Sequence, residues 1–306
     1  MKHFITYPLI AHPYSPELVS KRAIVRFATR AEELGVDGIG FTDHPAPSHK
    51  WLTHGGHDAI DPFAAFGLVA GVTERLRLIP NILVLPYRNP FLVAKAAATL
   101  DALSDGRFVL AVATGYLRSE YRALGVDFEE RNALFDEALE VIRGIWSTDD
   151  FAYEGRHFTA GGQTANPKPG NVPIWIGGNS ALTRRRVARV ADGWNPFMAS
   201  ATLAKTAKTP ALETIDDFRA MLEHLWRCAE EAGRDPKEID IAFQPFGCAP
   251  PGTDGFDSER TQEELGKLAE LGVTWTSTSV PGDSLDHALE ALEQYATTVI
   301  APQRRG

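Results

Sequence analysis

Short apolar runs rich in valine and isoleucine alternate along this chain with longer segments whose apolar residues recur at helical spacing. The short runs predict eight strands, and the longer segments predict eight amphipathic helices. The predicted strands cover 3–10, 37–42, 76–84, 107–113, 172–177, 192–197, 239–246 and 273–279. The predicted helices cover 16–34, 62–73, 90–102, 130–147, 180–191, 213–232, 258–271 and 284–300.

Eight strand-then-helix units in succession predict an α/β fold, a closed (β/α)8 TIM barrel with an outer ring of helices. We expect one domain over residues 1–306. An open, doubly wound sheet is the alternative, because periodicity does not show closure. Residues 148–171 break the rhythm, and the turn signal Glu154-Gly155 within them predicts a hairpin inserted between the fourth and fifth units.

Several boundaries have local signals. Ser15-Pro16, Asp61-Pro62 and Asn89-Pro90 each place a capping residue before a proline, which is typical of a helix start. Pro80 cannot donate to a strand ladder, so we expect the third strand to be bent or bulged there.

The connection between the third helix and the fourth strand falls at the face of a barrel that serves stability. Asp101 and Arg107 could pair at this face. We interpret both as structural residues, and we interpret Glu130 and Arg131 in the same way.

Glycine and polar residues follow two predicted strands at the end that carries the active site of a barrel. One strand leads into Thr114-Gly-Tyr116 and another into Gly177-Gly-Asn-Ser180. The second stretch is the best candidate for holding a phosphate, because helix-start amides and two glycines offer donors to an anion. The three arginines Arg184-Arg-Arg186 add positive charge. At most one or two of them can face inward. A capped turn with solvated arginines is the structural alternative.

The second predicted strand ends in Asp43 and His44, which places both side chains at the same mouth. A histidine there can move a proton near neutral pH. A turn-capping Asp43 beside a solvated His44 is the alternative. The loop that follows is rich in histidine, but it lacks the paired spacing of a metal site, so we predict a covering loop and no metal. Lid candidates are 44–61, 198–212 and 247–257.

Composition narrows the class of protein. The chain has 306 residues and a formal net charge of −9, with no basic run that would indicate nucleic-acid binding. It has no apolar stretch of membrane-spanning length and no signal-peptide pattern. Cys228 and Cys248 match no metal spacing and suggest no disulfide framework. We therefore expect a cytoplasmic protein with neither nucleic acid nor membrane as a partner.

The motifs together resemble the bacterial-luciferase-like superfamily of flavin and deazaflavin oxidoreductases, and most of all its actinobacterial branch of deazaflavin-dependent enzymes. The resemblance covers residues 1–196 in family order and continues beyond them only as strand–helix rhythm. The matching pieces are Ala31–Gly38, Thr42–Pro45, Leu83–Pro90, Leu100–Phe108, Ala113–Tyr116, Glu120-Tyr121, Phe128–Arg131, Pro173–Ser180 and Asp192–Trp194.

This resemblance implies a TIM barrel with an insertion and a non-prolyl cis peptide at Asn81–Ile82 that supports the central ring of a cofactor. It also implies that the loops after strands four and five hold the ribityl and phosphate parts, and that His44 lies beside cofactor and substrate. The implied cofactor-binding residues are Asn81, Ile82, Thr114, Gly115, Tyr116, Gly177, Gly178, Asn179 and Ser180.

The implied activity is hydride transfer between the deazaflavin coenzyme F-420 and a small organic substrate. His44 would move the accompanying proton, oriented by Asp43, and Glu120 and Tyr121 are further pocket candidates. The alternative within the family is an FMN-dependent monooxygenase that takes reduced flavin from a separate reductase. Family members are often dimers, so we expect a homodimer.

Two departures from family patterns matter. Some sugar-phosphate-oxidising relatives have a glutamate directly after the strand-four glycine, where this chain has Tyr116, so their acid–base scheme and substrate are in doubt here. Many relatives have His-Pro where this chain has Asn195-Pro196. Alternatives from other classes are a flavin-binding protein without turnover and a metal-dependent barrel hydrolase.

Overall fold

A computed structural model describes residues 1–305. The strands are β1 (Lys2–Thr6), β2 (Gly38–Gly40), β3 (Arg77–Leu78), β4 (Leu83–Val84), β5 (Leu110–Ala113), β6 (Phe151–Glu154), β7 (Thr159–Gln163), β8 (Ile174–Gly177), β9 (Gly193–Asn195), β10 (Asp240–Ile241) and β11 (Trp275–Ser279). The helices are α1 (Lys21–Glu33), α2 (His49–Leu52), α3 (Pro62–Ala70), α4 (Pro90–Leu103), α5 (Arg118–Ala123), α6 (Arg131–Ser147), α7 (Ala181–Val190), α8 (Ala201–Ala207), α9 (Ile215–Glu231), α10 (Ser258–Glu270), α11 (Leu285–Tyr295) and α12 (Ala301–Arg305).

The parallel strands follow one another around a ring. One sheet has the order β11-β1-β2-β3 and the other the order β10-β9-β8-β5-β4. Parallel bridges join the sheets, from Leu78 to Phe108 on one side and from Ala242 to Trp275 on the other. The first strand thus lies beside the last, as in a TIM barrel, so the predicted fold is confirmed and the doubly wound alternative is wrong.

The third strand of the ring is broken into β3 and β4. β3 pairs with β2, whereas β4 pairs with β5 on the other side. Pro80 lies in the break, which confirms the expected irregularity, and the peptide bond Asn81–Ile82 is cis, as the family resemblance implied.

The helix starts agree in part with the predicted ones. The side chains of Asp61 and Asn89 cap α3 and α4 as predicted. The predicted helix 16–34 is wrong at its start. Ser15 precedes only a short 3-10 turn, and α1 begins after Ser20, whose hydroxyl accepts the amide of Ala23.

The predicted hairpin is confirmed. β6 and β7 pair antiparallel, with Glu154 opposite Thr159, and they lie between α6 and β8 in the chain. No helix among residues 1–305 is both long and apolar enough to cross a membrane.

Asp101 and Arg107 do not pair, so that expectation was wrong. Arg107 is buried and donates to the carbonyl oxygens of Ala70, Thr73 and Leu76, around the end of α3. Asp101 instead accepts the amide of Gly170. Each residue satisfies backbone groups at the stability face, which is the structural role predicted for both.

Two apolar clusters make the core. The larger one fills the layer between strands and helices. The smaller one fills the inside of the barrel and consists of Phe4, Ile79, Val109, Ala111, Trp175, Ala242 and Trp275. Because side chains fill the interior, the inside of the barrel has no room for a ligand, and a barrel site falls at the ends of the strands.

Candidate active site

A cavity of about 550 Å³ opens at the carboxyl ends of the strands. All of the site residues nominated from the sequence line it, namely Asp43, His44, Asn81, Ile82, Thr114, Gly115, Tyr116, Gly177, Gly178, Asn179 and Ser180. The barrel brings them together because β2, β4, β5 and β8 all end at this mouth. Of the lid candidates, 44–61 and 198–212 contribute to the lining, whereas 247–257 does not.

A buried carboxylate holds His44. Glu120 at the start of α5 is fully buried, and its Oε2 accepts from Nδ1 of His44 at 3.0 Å and from the hydroxyl of Tyr87 at 3.1 Å. Its Oε1 accepts the amide of Ala46 at 3.0 Å. Since a carboxylate only accepts, we assign the ring proton to Nδ1, which leaves Nε2 as the nitrogen available to a ligand.

Asp43 does not orient His44, so that expectation was wrong. Its oxygens receive both guanidinium nitrogens of Arg88, at 2.6 and 2.7 Å, and the amide of Val84 at 2.8 Å. Asp43 is therefore a clasp between the end of β2 and the segment after β3. The partner of His44 is Glu120, which was predicted only as a further pocket candidate.

Aromatic rings surround His44. The ring centroids of Trp51, His57 and Tyr116 lie 4.5, 4.9 and 6.5 Å from that of His44. Burial lowers the pKa of His57 and raises the pKa of the Tyr116 hydroxyl, so both side chains are neutral near pH 7. This end of the cavity is aromatic and offers hydrogen-bonding groups without a free cation.

Two glycines allow close packing at the floor of the cavity. A β-carbon on Gly177 would overlap Cδ1 of Ile82, and one on Gly115 would lie 2.5 Å from Cγ1 of Val84. Gly115 also has a φ of +68°, a conformation that favours glycine. The result is an apolar floor formed by Ile82 and Val84 between two glycine-bearing strand ends.

The side chains of the Gly177–Ser180 stretch hold local structure. Asn179 is fully buried, donates to the carbonyl of Phe197 at 2.9 Å and accepts its amide at 3.1 Å, which fixes the start of the 198–212 loop. Ser180 caps α7 by accepting the amide of Thr183. The part of this stretch that suits an anion is therefore its backbone at the start of α7.

The arginines of α7 do not line the cavity. Arg184 donates to His224 and to the carbonyl of Asn179, and Arg186 is bound to Asp136. Arg185 lies on a separate groove of about 560 Å³ at the outer surface between α6, α7 and α9. The sequence allowed one or two of the three to face inward, and none does, because Arg184 and Arg186 are held in carbonyl, imidazole and ion-pair contacts.

The cations of the cavity lining are Arg131 and Lys208. Arg131 was predicted to be structural, and it does donate to the carbonyl of Phe128, but it also faces the cavity. Lys208 ends α8 within the predicted lid 198–212. Neither has a sequence signal of its own, since both approach the cavity only through the packing of α5, α6 and α8.

The histidine-rich loop does not assemble a metal site. Among residues 1–305, no group of three or more histidine, cysteine, aspartate or glutamate side chains is placed to hold a metal ion. His57 instead packs against Trp51 and His44, and His12 pairs with Asp58. The hydrolase alternative therefore has no geometric support in this part of the chain.

The cavity suits an elongated ligand with a flat ring and an anionic end. The apolar floor at Ile82 and Val84 can support a ring, and the absence of β-carbons at Gly177 and Gly115 lets these two side chains pack closely against the strand ends. The amides at the start of α7, with Arg131 and Lys208, suit negative charge. These residues fit a flavin or deazaflavin.

A parallel barrel with such a cavity at its strand ends is the architecture of a barrel enzyme. The chain belongs to the luciferase-like monooxygenase family, whose model matches residues 1–254.

Known relatives place the chain among oxidoreductases. It is 34% identical over 186 residues to an F-420-dependent glucose-6-phosphate dehydrogenase of Nocardia farcinica, a match over 59% of this chain and 54% of that protein. Its fold resembles that of the monooxygenase RslO1 from Streptomyces bottropensis, with a TM-score of 0.80, 18% identity and coverage of 99% and 100% of the two chains. It also resembles the F-420-dependent tetrahydromethanopterin reductase from Methanopyrus kandleri, with a TM-score of 0.73, 16% identity and 98% coverage of both chains.

Proposed function

We propose that this chain transfers a hydride between the deazaflavin coenzyme F-420 and a small organic substrate. The observation that carries the proposal is the buried Glu120 that holds His44 toward a cavity with a flat apolar floor. The named F-420-dependent relative supports the choice of cofactor.

When bound, the deazaflavin would supply a ring carbon that gives or accepts the hydride. His44 would give or take, at Nε2, the proton that balances this transfer. Glu120 would keep the imidazole in the tautomer with Nδ1 protonated, so that Nε2 faces the cavity. Tyr87 and the amide of Ala46 hold Glu120 in place, so the carboxylate does not need water to be satisfied.

The residues around His44 favour an uncharged substrate. Trp51, His57 and Tyr116 offer aromatic faces and neutral polar groups, and the cavity-lining cations, Arg131 and Lys208, do not belong to this group of rings. A sugar phosphate would need a cation near its phosphate, and Tyr116 stands where some sugar-phosphate-oxidising relatives have a glutamate. We therefore propose a small uncharged carbonyl compound or alcohol as the substrate class.

An FMN-dependent monooxygenase is the second candidate, with a separate reductase supplying reduced flavin. The similarity of the fold to a monooxygenase favours it. The same floor and backbone amides would hold the flavin ring and phosphate, so the lining residues alone leave both cofactors possible. A flavin-binding protein without turnover is the remaining alternative.

Calorimetric titration of the purified chain with F-420 and with FMN, followed by turnover assays, tests the proposal. We expect F-420 to bind more tightly than FMN. We expect His44→Asn to abolish turnover of a small carbonyl compound or alcohol, whereas the variant should still bind the cofactor. Tight binding of FMN alone would move the chain to the monooxygenase candidate. Full turnover by His44→Asn would contradict the role of His44.

We also propose that the outer face of α3 and α4 is a homodimer interface. α4 exposes Leu92 and Leu103 at 70% and 66%, three turns apart on one face, with Ala96 and Thr99 between them. α3 beside it contains no charged residue. Large apolar side chains exposed together on one helix face are normally covered by a partner, and a second copy of the chain would cover this face in a two-fold dimer.

A further inference from the structure

Three cations surround one buried aromatic ring at the edge of the cavity. The guanidinium carbons of Arg118 and Arg131 lie 4.1 and 4.0 Å from the centroid of Phe128, and Nζ of Lys208 lies 5.7 Å from it. Phe128 is buried, so the ring is a fixed support for the three side chains. We refer to Arg118, Arg131 and Lys208 as the Phe128 cation cluster.

The cluster keeps an excess of positive charge. Glu129 pairs with Arg118 at 2.6 Å and lies 3.9 Å from Arg131, so one carboxylate is shared between two guanidinium groups. Asp127 turns an oxygen to the amide of Glu129, and Glu130 is paired with Arg156. This local excess contrasts with the formal charge of −9 on the whole chain.

The cluster leads out of the cavity. Arg131 and Lys208 line the cavity itself, whereas the side chain of Arg118 is 53% exposed, compared with 17% for Arg131. The positive charge therefore continues from the cavity wall to the solvent. The amides at the start of α7 suit a phosphate, so the cluster is available to negative charge that lies further along the same ligand.

We propose that the Phe128 cation cluster binds the carboxylates of an acidic, flexible tail as it leaves the cavity, such as the oligoglutamate tail of a deazaflavin coenzyme. This inference rests on the proposed function. Three cations on one rigid ring can exchange contacts with successive carboxylates of such a tail without fixing one geometry. FMN ends at its single phosphate, so it has no group to place on the part of the cluster outside the cavity. The cluster is thus a determinant of cofactor choice.

Calorimetry on the full chain tests this with two ligands, F-420 carrying several glutamates and the same molecule without glutamates. We expect the long tail to bind more tightly and with a steeper dependence on salt. Arg118→Ala and Lys208→Ala should each weaken long-tail binding roughly 3- to 10-fold, and should change binding of the tail-free form less than about 2-fold. Arg122→Ala, an exposed change on the same helix α5, is the matched control and should leave both affinities unchanged.

Equal affinities for the two ligands, or equal losses for both in the variants, would overturn the inference and leave the proposed function standing. If neither ligand binds, the proposed function fails and the inference fails with it. Thermal melting of each variant checks the fold, and since Arg118 and Lys208 lie at the surface, we expect melting temperatures within a few degrees of that of the parent chain.

Discussion

At the scale of single residues, the chain contains the same pair of side chains twice. Glu120 accepts from Nδ1 of His44 at 3.0 Å beside the cavity, and Glu137 accepts from Nδ1 of His157 at 2.6 Å at the hairpin. Burial alone would raise the pKa of Glu137, but the amides of His157 and Phe158 and the imidazole outweigh it and lower that pKa. One pair faces a ligand site, whereas the other fastens a hairpin to α6.

The two pairs allow a matched test of the role of Glu120. In Glu120→Gln, the side-chain amide can turn a donor toward Nδ1 and no longer fixes the tautomer of His44, so we expect kcat to fall by about 10²- to 10⁴-fold while the cofactor dissociation constant changes little. In Glu137→Gln, we expect a lower melting temperature with kcat unchanged. Steady-state kinetics and cofactor titration measure both. Equal effects on kcat would show that Glu120 acts only through stability.

The sequence could identify His44 and could not identify its partner. His44 lies two residues after the predicted strand 37–42, and position at a strand end is a local property. Glu120 lies 76 residues further along the chain and reaches His44 through α5, a helix of six residues that is too short for periodicity to reveal. Arg131 and Lys208 were also missed as cavity residues. They reach the cavity only through the packing of helices, which no local pattern in the sequence predicts.

At the scale of elements, the broken third strand depends on a clasp. β4 is held to the end of β2 by Asp43, whose carboxylate receives Arg88 and the amide of Val84. Asp43 is buried and Arg88 is nearly so. Removing either partner would therefore leave an uncompensated charge away from water, which destabilises the folded chain. The clasp fixes the segment that supplies Ile82 and Val84 to the cavity floor.

Asp43→Ala should therefore destabilise the chain by about 3–5 kcal/mol, because it leaves a guanidinium and an amide without their acceptor. The matched control is Asp286→Ala, which removes an exposed partner of Arg26 at 3.5 Å and should cost less than about 1 kcal/mol. Urea unfolding measures both. Similar small changes in the two variants would show that the clasp contributes little to stability.

Elements were predictable where the signal is local. The caps Asp61 and Asn89 and the break at Pro80 each follow from the chemistry of one or two residues. The start of α1 was misplaced because Ser15 and Ser20 offer equivalent signals, and only the folded chain shows which hydroxyl accepts an amide. The end of the predicted helix 284–300 is a π-helical turn, which periodicity does not distinguish from an α-helix.

At the scale of the whole molecule, the alternation of strands and helices predicted the barrel, but closure depends on contacts between distant segments. β1 pairs with β11 along its whole length, in register from Lys2 opposite Trp275 to Thr6 opposite Ser279. Nothing local in either strand specifies that register. Repetition alone carried the prediction, since eight successive parallel units favour a closed ring.

Association into dimers is the first test at this scale. Leu92→Lys places a charge on the apolar face of α3 and α4, and we expect it to weaken dimerisation on the order of 30-fold or more, as for an interface hot spot. Val19→Lys, at an exposed apolar residue outside α3 and α4, should leave dimerisation unchanged. Sedimentation velocity over a range of concentrations measures both. A parent chain that stays monomeric would contradict the proposed interface.

The second test at this scale concerns the pH dependence of stability. His3 in β1 contacts residues near the end of the described chain. Its ring is buried against the hydroxyl of Tyr295 at 3.0 Å and the amide oxygen of Gln303 at 2.9 Å. Burial lowers the pKa of His3 from 6.5 to about 4. The unfolded chain therefore binds a proton between pH 6.5 and 4 that the folded chain does not, so stability falls as pH decreases through this range.

The expected loss is on the order of 3 kcal/mol between pH 7 and pH 4. Urea unfolding at several pH values should show that His3→Gln, which cannot titrate, loses less stability than the parent chain over the same range. His287→Asn removes an exposed histidine whose pKa is raised by Asp283, so it should not reduce the acid-side loss. Parallel curves for the parent and His3→Gln would contradict the assignment.

The two tryptophans inside the barrel give the molecule an intrinsic fluorescence close to the cavity. Trp175 and Trp275 pack edge to face with ring centroids 5.5 Å apart, away from water. Trp175 lies two residues before Gly177, about 7 Å below the mouth at the usual strand rise. Light absorbed by this pair can pass by resonance to any flavin-like ring seated above Ile82. The protein's own emission should therefore dim as such a ring enters, which lets the site be followed without a label before any substrate is known.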